Sequence, residues 1–348
     1  MDIKSHILNT PGYLEELTNL DVQPLPQPRL ISAKIKLLWQ CNLACSFCQL
    51  PPAGPPMRVA QVEGVLQALK SMGAGKVHFS GGEVFLHPDI MEILALAVQA
   101  GFQVNLTTNG TLLDKDKVRL LARIEVHSIS LSIDGSTAQK HDRLRGQSGA
   151  FKSTLKALQG LVQLHPKRPK VRVNTVVCRE NIHDLPALHE RLMGVSEQIR
   201  WRLILIHSEE SKRLLSKTMV KELLKQSEDW PLLENYWLTQ GLKPSQYAYV
   251  AQGHYGLGCQ VTPYCYMPWA HVFIDPAGYV YPCCRSRGQI ASLGNVFEED
   301  LPAILSGSRC QAIRMAMAAG NPLEVCHDCD DFAQDNQCIR ELTMQSER

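Results

Sequence analysis

The sequence predicts an α/β fold built on a parallel sheet, because short apolar segments alternate with helical segments from residue 33 onward. The predicted strands cover residues 33–39, 76–80, 103–108, 127–133, 171–177 and 199–206. The predicted helices lie near residues 58–72, 88–101, 114–123, 137–142, 150–164, 183–193 and 212–228. Strands joined by crossover helices form an open sheet or a closed barrel, so functional side chains are expected in the loops at the carboxyl ends of the strands.

The two ends of the chain depart from this alternating pattern. Residues 1–30 end in the proline-rich segment VQPLPQPRL, which is typical of an extended lead-in. After about residue 240 the sequence is rich in Gly, Tyr, Pro and Cys, which is typical of a small domain organised by metal. We therefore predict an N-terminal extension at 1–30, a core domain at 31–230 and a cysteine-rich domain at 231–348.

Composition and charge narrow the classes of partner. The 348 residues carry 36 Lys and Arg against 34 Asp and Glu, and this net charge of +2 gives no reason to expect nucleic acid as a partner. The first residues lack a secretory signal, and no apolar run approaches the roughly 18 residues of a membrane span, so no membrane partner is expected. We expect a cytoplasmic protein, in which clustered cysteines more often bind metal or do redox chemistry than form disulfides.

The segment CNLACSFC places three cysteines, Cys41, Cys45 and Cys48, directly after the first predicted strand. A structural zinc site would need a fourth ligand, and no further Cys or His lies closer in sequence than His78. A disulfide would leave one thiol over. Three thiolates on a cubic iron–sulfur cluster would leave one iron with an open position, which is useful only if another molecule binds there.

With the aromatic Phe47 before its last cysteine, this segment resembles the CxxxCxΦC signature of radical S-adenosylmethionine (SAM) enzymes. The resemblance implies a partial (β/α)6 barrel and a [4Fe-4S] cluster whose fourth iron is chelated by SAM. It also implies that one electron cleaves SAM to a 5′-deoxyadenosyl radical, which removes a hydrogen from a substrate carbon. A low-potential electron donor such as flavodoxin or ferredoxin would then be a partner.

A second motif, FSGGEVF, follows the second predicted strand and resembles the GGE motif of the same family. Gly81 and Gly82 would let the backbone approach a ligand closely, and Glu83 could accept hydrogen bonds from the amino group of SAM. Two glycines and an acid after a strand are by themselves usually only a turn.

Three more candidate SAM-binding residues follow later strands. Asn109 belongs to the loop segment TTNG, and Ser132 ends the fourth predicted strand in SLSIDGS. In relatives with a cysteine-rich C-terminal domain, a serine on this strand and the arginine of an HDxxRG-like element contact the ribose and carboxylate of SAM. By that resemblance Ser132 and Arg145 take these roles, with Arg143 as the weaker candidate. A guanidinium suits a carboxylate because it can donate two parallel hydrogen bonds.

The cysteine-rich end resembles the SPASM and twitch domains that follow many radical SAM cores. Their signature CX9-15GX4C is matched by Cys265, Gly278 and Cys283, and the segment FIDPAGYVYP between the two cysteines reads as a β-hairpin. Cys326 and Cys329 supply a CxxC that would complete a four-thiolate site. Considered alone, four cysteines in pairs could hold zinc equally well, and the first cluster is what favours an iron–sulfur cluster.

The chain departs from the full SPASM pattern, which continues CX2CX5CX3C and ends in one more cysteine. Here Cys329 is followed by eight residues before Cys338, so one auxiliary [4Fe-4S] cluster is predicted, as in the twitch form. Cys259 and Cys338 are interpreted as buried or incidental thiols. Cys284 adjoins a predicted ligand and is a candidate catalytic acid–base thiol, with a packed cysteine as the alternative.

Two enzymatic hypotheses remain for the substrate. The first is oxidative modification of a peptide or protein side chain, with the auxiliary cluster accepting an electron from the substrate. About 30 residues precede the first strand, too few for a fused leader-peptide-binding domain, so a leader would need a separate recognition protein. The second is dehydrogenation of a small polar molecule such as a sugar or aminocyclitol alcohol. A non-catalytic metal-binding or electron-carrier protein is the alternative of another class.

Overall fold

The computed structural model describes most of the chain. The described residues are 3–19, 29–48, 50–51, 54–164, 169–177, 180–181, 184–205, 265–326 and 333–346. The predicted helix near 212–228 and the predicted ligand Cys329 lie outside these ranges.

The chain divides into two compact units, which are described separately. The first unit comprises residues 1–39, 52–105 and 256–348, and the second comprises residues 40–51 and 106–255. The cysteine loop, residues 40–51, therefore belongs to the second unit, and the cysteines after residue 264 belong to the first.

All six predicted strands are present. They are β1 (Ser32–Lys36), β2 (Lys76–Ser80), β3 (Gln103–Thr108), β4 (Ser128–Ser132), β5 (Lys170–Val177) and β6 (Arg200–Leu205). In the first unit β1 pairs with β2 in parallel, and in the second unit β5 lies between β4 and β6, parallel to both. Strand β3 begins in the first unit and ends in the second. The α/β class with a parallel sheet is thus confirmed.

The helices that follow these strands also lie close to the predicted positions. They are α3 (Val59–Ser71), α4 (Ile90–Gln99), α5 (Lys115–Ile124), α6 (Ala138–Arg145), α7 (Ala150–Gln163) and α8 (Leu185–Val195). Helix α6 shows why such segments start and stop where they do. The Thr137 hydroxyl caps its first turn by accepting from the Lys140 backbone N–H, and Gly146 ends it in the left-handed conformation, with φ of +67°.

The C-terminal part of the first unit contains the predicted hairpin. Strands β7 (His271–Ile274) and β8 (Tyr279–Tyr281) pair in antiparallel fashion, and β9 (Gly294–Asn295) pairs with β8. Strand β7 also pairs in parallel with β1, with Ser32 opposite His271. The sequence did not predict this pairing, because it joins segments more than two hundred residues apart.

The remaining helices of the first unit include one unexpected pair. Helices α1 (Ile3–Leu8) and α2 (Tyr13–Thr18) lie in the predicted N-terminal extension, and were not predicted. Residues 20–28, which hold most of the proline-rich segment predicted to be extended, lie outside the described residues. The later helices are α9 (Met267–Ala270), α10 (Leu301–Ser306), α11 (Ser308–Ala318) and α12 (Ala333–Ser346). Ile7, Tyr13 and Leu17 pack in one buried cluster with side chains of α9 and α12, which explains why the N-terminal segment is helical.

None of the helices in the described ranges is long and apolar enough to cross a membrane.

Candidate functional site

The three cysteines of the loop at 40–51 differ in exposure. Cys41 and Cys45 are half-buried, and Cys48 is exposed. The loop follows β1 directly in the chain, as the sequence predicted for a functional segment.

The end of helix α6 holds the middle of this loop. The carbonyls of Leu144 and Arg145 accept hydrogen bonds from the backbone N–H groups of Ser46 and Ala44, at 3.1 and 3.2 Å. The approach is so close that a Cβ on Gly146 would lie 2.3 Å from the Ala44 carbonyl oxygen. Glycine is therefore required twice at position 146, for its positive φ and for this contact.

Arg145 brings a charged group to one of the thiols. Its Nε lies 2.6 Å from Asp134 Oδ2, its Nη1 lies 3.7 Å from Cys45 Sγ, and its guanidinium lies 5.2 Å from the centre of the Phe47 ring. The side chains of Arg145 and Asp134 are 9% and 0% exposed, so this ion pair is shielded from water. The arginine of the HDxxRG-like element thus contacts the cysteine loop and a buried carboxylate.

Burial and the neighbouring charges affect the pKa values of both the Cys45 thiol and the Arg145 guanidinium. Burial raises the pKa of the Cys45 thiol, and the charge and hydrogen bond of Arg145 act in the opposite direction. Burial lowers the pKa of Arg145, but Asp134 and Cys45 raise it more, so the guanidinium stays charged. A cation held beside a thiol favours the thiolate, which is the form that binds metal.

A ring of three hydrogen bonds holds the start of the loop. Asn42 Nδ2 donates to Thr111 Oγ1 at 2.8 Å, Thr111 Oγ1 donates to Asn109 Oδ1 at 2.6 Å, and Asn109 Nδ2 donates to Asn42 Oδ1 at 2.9 Å. Asn109 Nδ2 also lies 4.0 Å from Cys41 Sγ, and the Leu43 N–H lies 3.5 Å from the same sulfur. The predicted cofactor residue Asn109 therefore positions the cysteine loop.

Ser132 lies at the end of β4, two residues before Asp134. Its side chain is half-buried, and among the residues described its hydroxyl makes no hydrogen bond. It is paired in register with Asn174 of β5. The hydroxyl is therefore available to a ligand, and its contact with SAM stays a prediction.

The GGE turn belongs to the first unit. The Gly82 N–H donates to the Leu38 carbonyl at 2.9 Å, and a Cβ on Gly81 would lie 2.7 Å from Leu38 Cδ2. Glu83 is fully buried, and its Oε1 accepts from the Phe85 N–H at 3.0 Å, capping the short 3-10 helix Val84–Leu86. These contacts give the three residues a structural role, and their predicted contacts with SAM stay predictions.

Three of the four predicted auxiliary ligands come together in the first unit. Burial raises the pKa of the Cys265 thiol to about 12, and the neighbouring Cys283 and Cys326 thiols act in the same direction. Burial also raises the pKa of Cys283. Thiols in such surroundings keep their protons unless a cation replaces them, which is the situation that a metal site provides.

The hairpin between these cysteines depends on Gly278. This residue has φ of +87°, and a Cβ there would lie 2.4 Å from Asn295 Oδ1 and 2.5 Å from a ring carbon of Phe297. The glycine of the CX9-15GX4C signature thus permits both the turn and the close packing of β9. The turn places Cys283 soon after β8.

Asn336 on α12 is a site residue that the sequence analysis missed. Its Nδ2 donates to Cys265 Sγ at 3.2 Å, and its Oδ1 accepts from the Tyr266 N–H at 2.8 Å. The side chain is 1% exposed. Its only signal in the sequence is its place two residues before Cys338, which lies half-buried on the same helix.

The remaining cysteines are placed as follows. Cys284 is half-buried, and its acid–base role stays a prediction. Cys310 is buried in α11, and Cys338 packs against the same apolar cluster as Cys265 and Cys326. In the described ranges, no three His, Cys, Asp or Glu side chains are arranged to hold a single metal ion.

The donor sets fit iron–sulfur clusters. In the second unit, thiols on one loop are met by N–H donors from Arg145, Asn109 and Leu43. In the first unit, Asn336 donates to the half-buried Cys265 thiol, which has two further thiols as neighbours. Hydrogen bonds to coordinating sulfur and exclusion of water are the features by which proteins hold and tune such clusters.

Two family models match the chain at the segments described above. The model of the radical SAM superfamily matches residues 39–192, and the model of the SPASM iron–sulfur cluster-binding domain matches residues 265–330. Both matches fall inside the predicted domains at 31–230 and 231–348.

The chain is similar to several curated relatives, and the similarity covers a different share of the chain in each case. The AdoMet-dependent heme synthase of Nitratidesulfovibrio vulgaris is 26% identical over 70% of this chain and 70% of its own. The heme synthase of Methanosarcina barkeri is 34% identical over 47% of this chain and 46% of its own. The subtilosin biosynthesis protein AlbA of Bacillus subtilis is 25% identical over 84% of this chain and 63% of its own.

Solved structures share the fold at low sequence identity. SuiB of Streptococcus suis bound to S-adenosylmethionine superposes with a TM-score of 0.62 and 18% identity, over 86% of this chain and 70% of that one. The enzyme anSMEcpe with bound AdoMet and a Kp18Cys peptide gives 0.63 and 17%, over 90% and 97%.

The cofactors follow from these two matches. They are SAM, a SAM-binding [4Fe-4S] cluster and auxiliary iron–sulfur cluster binding in the C-terminal part. The chain is therefore an enzyme with a radical SAM domain at residues 39–192 and a C-terminal SPASM domain at residues 265–330.

Proposed function

We propose that this enzyme oxidatively modifies a side chain of a peptide or protein by abstracting a hydrogen atom from carbon. The observation that carries the proposal is the presence of two separate thiol sets, one on the loop at 40–51 and one at Cys265, Cys283 and Cys326, each with polar groups directed at sulfur. When bound, the first cluster and SAM supply a 5′-deoxyadenosyl radical.

The three cysteines of the loop and the polar residues near them then have defined tasks. Cys41, Cys45 and Cys48 would hold the SAM-binding cluster, and the ring of Asn42, Asn109 and Thr111 keeps the first of these thiols in place. Ser132 supplies a hydroxyl that makes no other hydrogen bond among the described residues, and is the candidate for the SAM ribose or carboxylate.

The auxiliary site would consist of Cys265, Cys283, Cys326 and Cys329 with one [4Fe-4S] cluster. Asn336 orients Cys265 by donating to its sulfur, and Cys265 and Cys326 pack against the buried apolar cluster of α1, α2, α9 and α12. Cys284, next to a ligand, is the candidate acid–base thiol of the substrate site. A flavodoxin or ferredoxin would deliver the electrons.

Similarity to peptide-modifying enzymes supports a peptide as substrate. The match to AlbA, named for biosynthesis of a bacteriocin, extends over 84% of this chain. PqqA peptide cyclases are similar as well, one of them at 25% identity over 85% of the chain.

A second candidate substrate is a tetrapyrrole. It is favoured by the heme synthase of N. vulgaris, which matches 70% of the chain, and by the M. barkeri Fe-coproporphyrin III synthase, which is 30% identical over 49% of it. Dehydrogenation of a small polar molecule such as a sugar or aminocyclitol alcohol stays an alternative prediction from the sequence.

An assay of 5′-deoxyadenosine formation distinguishes between these two candidate substrates. The anaerobically reconstituted enzyme would be incubated with SAM and dithionite, with either the product of a small peptide gene adjacent to its own gene or iron coproporphyrin III. The proposal expects the peptide to increase 5′-deoxyadenosine formation and to lose two hydrogen atoms in mass. Stimulation by the porphyrin alone, with a changed absorption spectrum, would favour the tetrapyrrole function.

Iron content tests the assignment of the two clusters. The reconstituted enzyme is expected to bind about eight iron atoms, four for each cubic cluster. Replacing Cys41, Cys45 and Cys48 together by Ala should leave about four. Full iron retention in this variant would contradict the assignment of the ligands.

A further inference from the structure

We propose that the buried ion pair between Arg145 and Asp134 sets the reduction potential of the cluster held by the cysteine loop. Arg145 raises the potential, and Asp134 limits this rise. The inference rests on the proposed function only in that Cys45 is taken as a cluster ligand. It assigns Arg145 a role that differs from the contact with the SAM carboxylate implied by the family resemblance.

The contacts of Arg145 place its charge on the cysteine loop itself. Nη1 lies 3.7 Å from Cys45 Sγ, and the guanidinium lies against the face of Phe47, which is two residues further along the loop. The carbonyl of Arg145 accepts from the Ala44 N–H, so the backbone and the side chain of one residue both hold the loop. The position of the guanidinium relative to Sγ is therefore determined by the loop and not by a flexible surface rotamer.

Asp134 is fixed on the other side of the guanidinium. Its Oδ1 accepts from the Val176 N–H at 2.8 Å, and its carbonyl accepts from Asn181 Nδ2 at 2.9 Å. Its own N–H donates to His141 Nδ1 at 3.1 Å. Because these hydrogen bonds hold the backbone and Oδ1 of Asp134, its Oδ2 is constrained to face Arg145 Nε.

The signs of the two effects follow from electrostatics in a dry environment. Reduction adds a negative charge to a cluster, so a nearby cation and an N–H donor to sulfur stabilise the reduced form and raise the potential. A nearby carboxylate does the opposite. Because neither residue is exposed to water, both charges act with little screening.

The relative sizes of the two effects on the reduction potential follow from the distance of each charge to Cys45 Sγ. Arg145 donates directly to Cys45 Sγ at 3.7 Å, whereas the Asp134 carboxylate contacts Arg145 Nε and acts across the guanidinium. Neutralising Arg145 should therefore change the potential more than neutralising Asp134. The two changes should have opposite signs, which damage to the loop would not produce.

The test is a potentiometric titration of the [4Fe-4S] cluster, followed by electron paramagnetic resonance without SAM or substrate. Each variant is made in a background in which Cys265 and Cys283 are Ala, so that only the cysteine-loop cluster contributes. Arg145→Gln should shift the midpoint potential to more negative values, and Asp134→Asn should shift it by a smaller amount to more positive values. The double variant should lie between the two single variants.

Two matched controls and one conservative variant complete the experiment. Arg123→Gln removes the same charge from an exposed position on α5, and Asp116→Asn removes an exposed carboxylate from the same helix. Both should keep the potential of the parent. Arg145→Lys retains the charge without the fork, and should shift the potential less than Arg145→Gln.

Several results would overturn the proposal. They are shifts of the same sign for Arg145→Gln and Asp134→Asn, a Lys variant that equals the Gln variant, or potentials that match the two controls. If Arg145→Gln loses its iron, the Asp134→Asn and Arg145→Lys shifts decide in its place. The titration contains no substrate, so an enzyme inactive on peptides that shows the expected shifts would contradict the proposed function and leave this inference intact.

Discussion

Replacing Gly146 by Ala should displace the cysteine loop. Gly146 has φ of +67°, and a left-handed conformation costs a residue with a Cβ about 1–2 kcal/mol. The new Cβ would also lie 2.3 Å from the Ala44 carbonyl oxygen, where ordinary van der Waals contact begins at 3.4 Å. The loop must therefore move by roughly 1 Å, and a displacement of this size near reacting groups commonly costs about 100-fold in rate.

The assay measures cleavage of SAM to 5′-deoxyadenosine together with iron content. Gly146→Ala should lower the rate of cleavage by about 10- to 100-fold and reduce the iron bound by the cysteine loop, while the auxiliary iron remains. Gly149→Ala is the matched control, because Gly149 also has a left-handed φ, of +81°, but its Cβ would meet nothing within 4 Å. The Gly149→Ala control should show only the loss of stability caused by the left-handed backbone conformation.

The comparison of these two glycines can refute the reasoning. If Gly146→Ala and Gly149→Ala have the same SAM cleavage rate, iron content and melting temperature, the contact with Ala44 does not hold the loop. If both lose the loop cluster, the backbone conformation is responsible and the contact is not.

Three further predictions concern groups that support the two sites. Asn336→Ala should accelerate the loss of auxiliary iron to a chelator and destabilise the fold by about 1–3 kcal/mol, because the buried Tyr266 N–H loses its acceptor. Asn109→Ala should release iron from the cysteine loop faster, because the hydrogen-bond ring with Asn42 is opened. Burial lowers the pKa of His141 to about 3, so the folded protein resists protonating it, and stability should fall by about 2 kcal/mol between pH 7 and pH 5.

Each of these has a control or an excluding result. Asn321→Ala removes an exposed amide from the same unit as Asn336 and should leave auxiliary iron unchanged. Thr111→Ser keeps the hydroxyl of the ring and should behave as the wild type, in contrast to Asn109→Ala. In anaerobic urea titrations His141→Gln should lose the part of the pH dependence between pH 7 and 5 that is due to His141. An unchanged dependence would show that His141 binds its proton equally well in the folded and unfolded protein.

Most of the fold could be predicted from the sequence because its strands and helices have strong local patterns. Strand β2 was predicted at 76–80 and strand β3 at 103–108, and both have these bounds. The N-terminal helices were missed, because six-residue helices have little stability of their own and depend on packing against α9 and α12.

The candidate site shows the same division between local and distant information. The cysteines, the GGE turn and Gly278 could be identified from their spacing, because each motif lies within one short segment. Asn336 could not, since nothing about an asparagine on a helix indicates that it will donate to a thiol 71 residues away. Arg145 was identified by its motif, but its contacts with Cys45 and Asp134 were not expected.

The sequence by itself determined the order of the strands and helices, the two thiol sets and the class of chemistry. These depend on residue type and on spacing within short segments, where hydrophobic periodicity and cysteine spacing act locally. Only the tertiary structure decided which groups face the sulfur atoms. Arg145 reaches Cys45 across 100 residues, and β7 joins β1 across more than two hundred. Such contacts depend on how the elements pack, because a side chain's neighbours across the fold are not encoded in its local conformational preference.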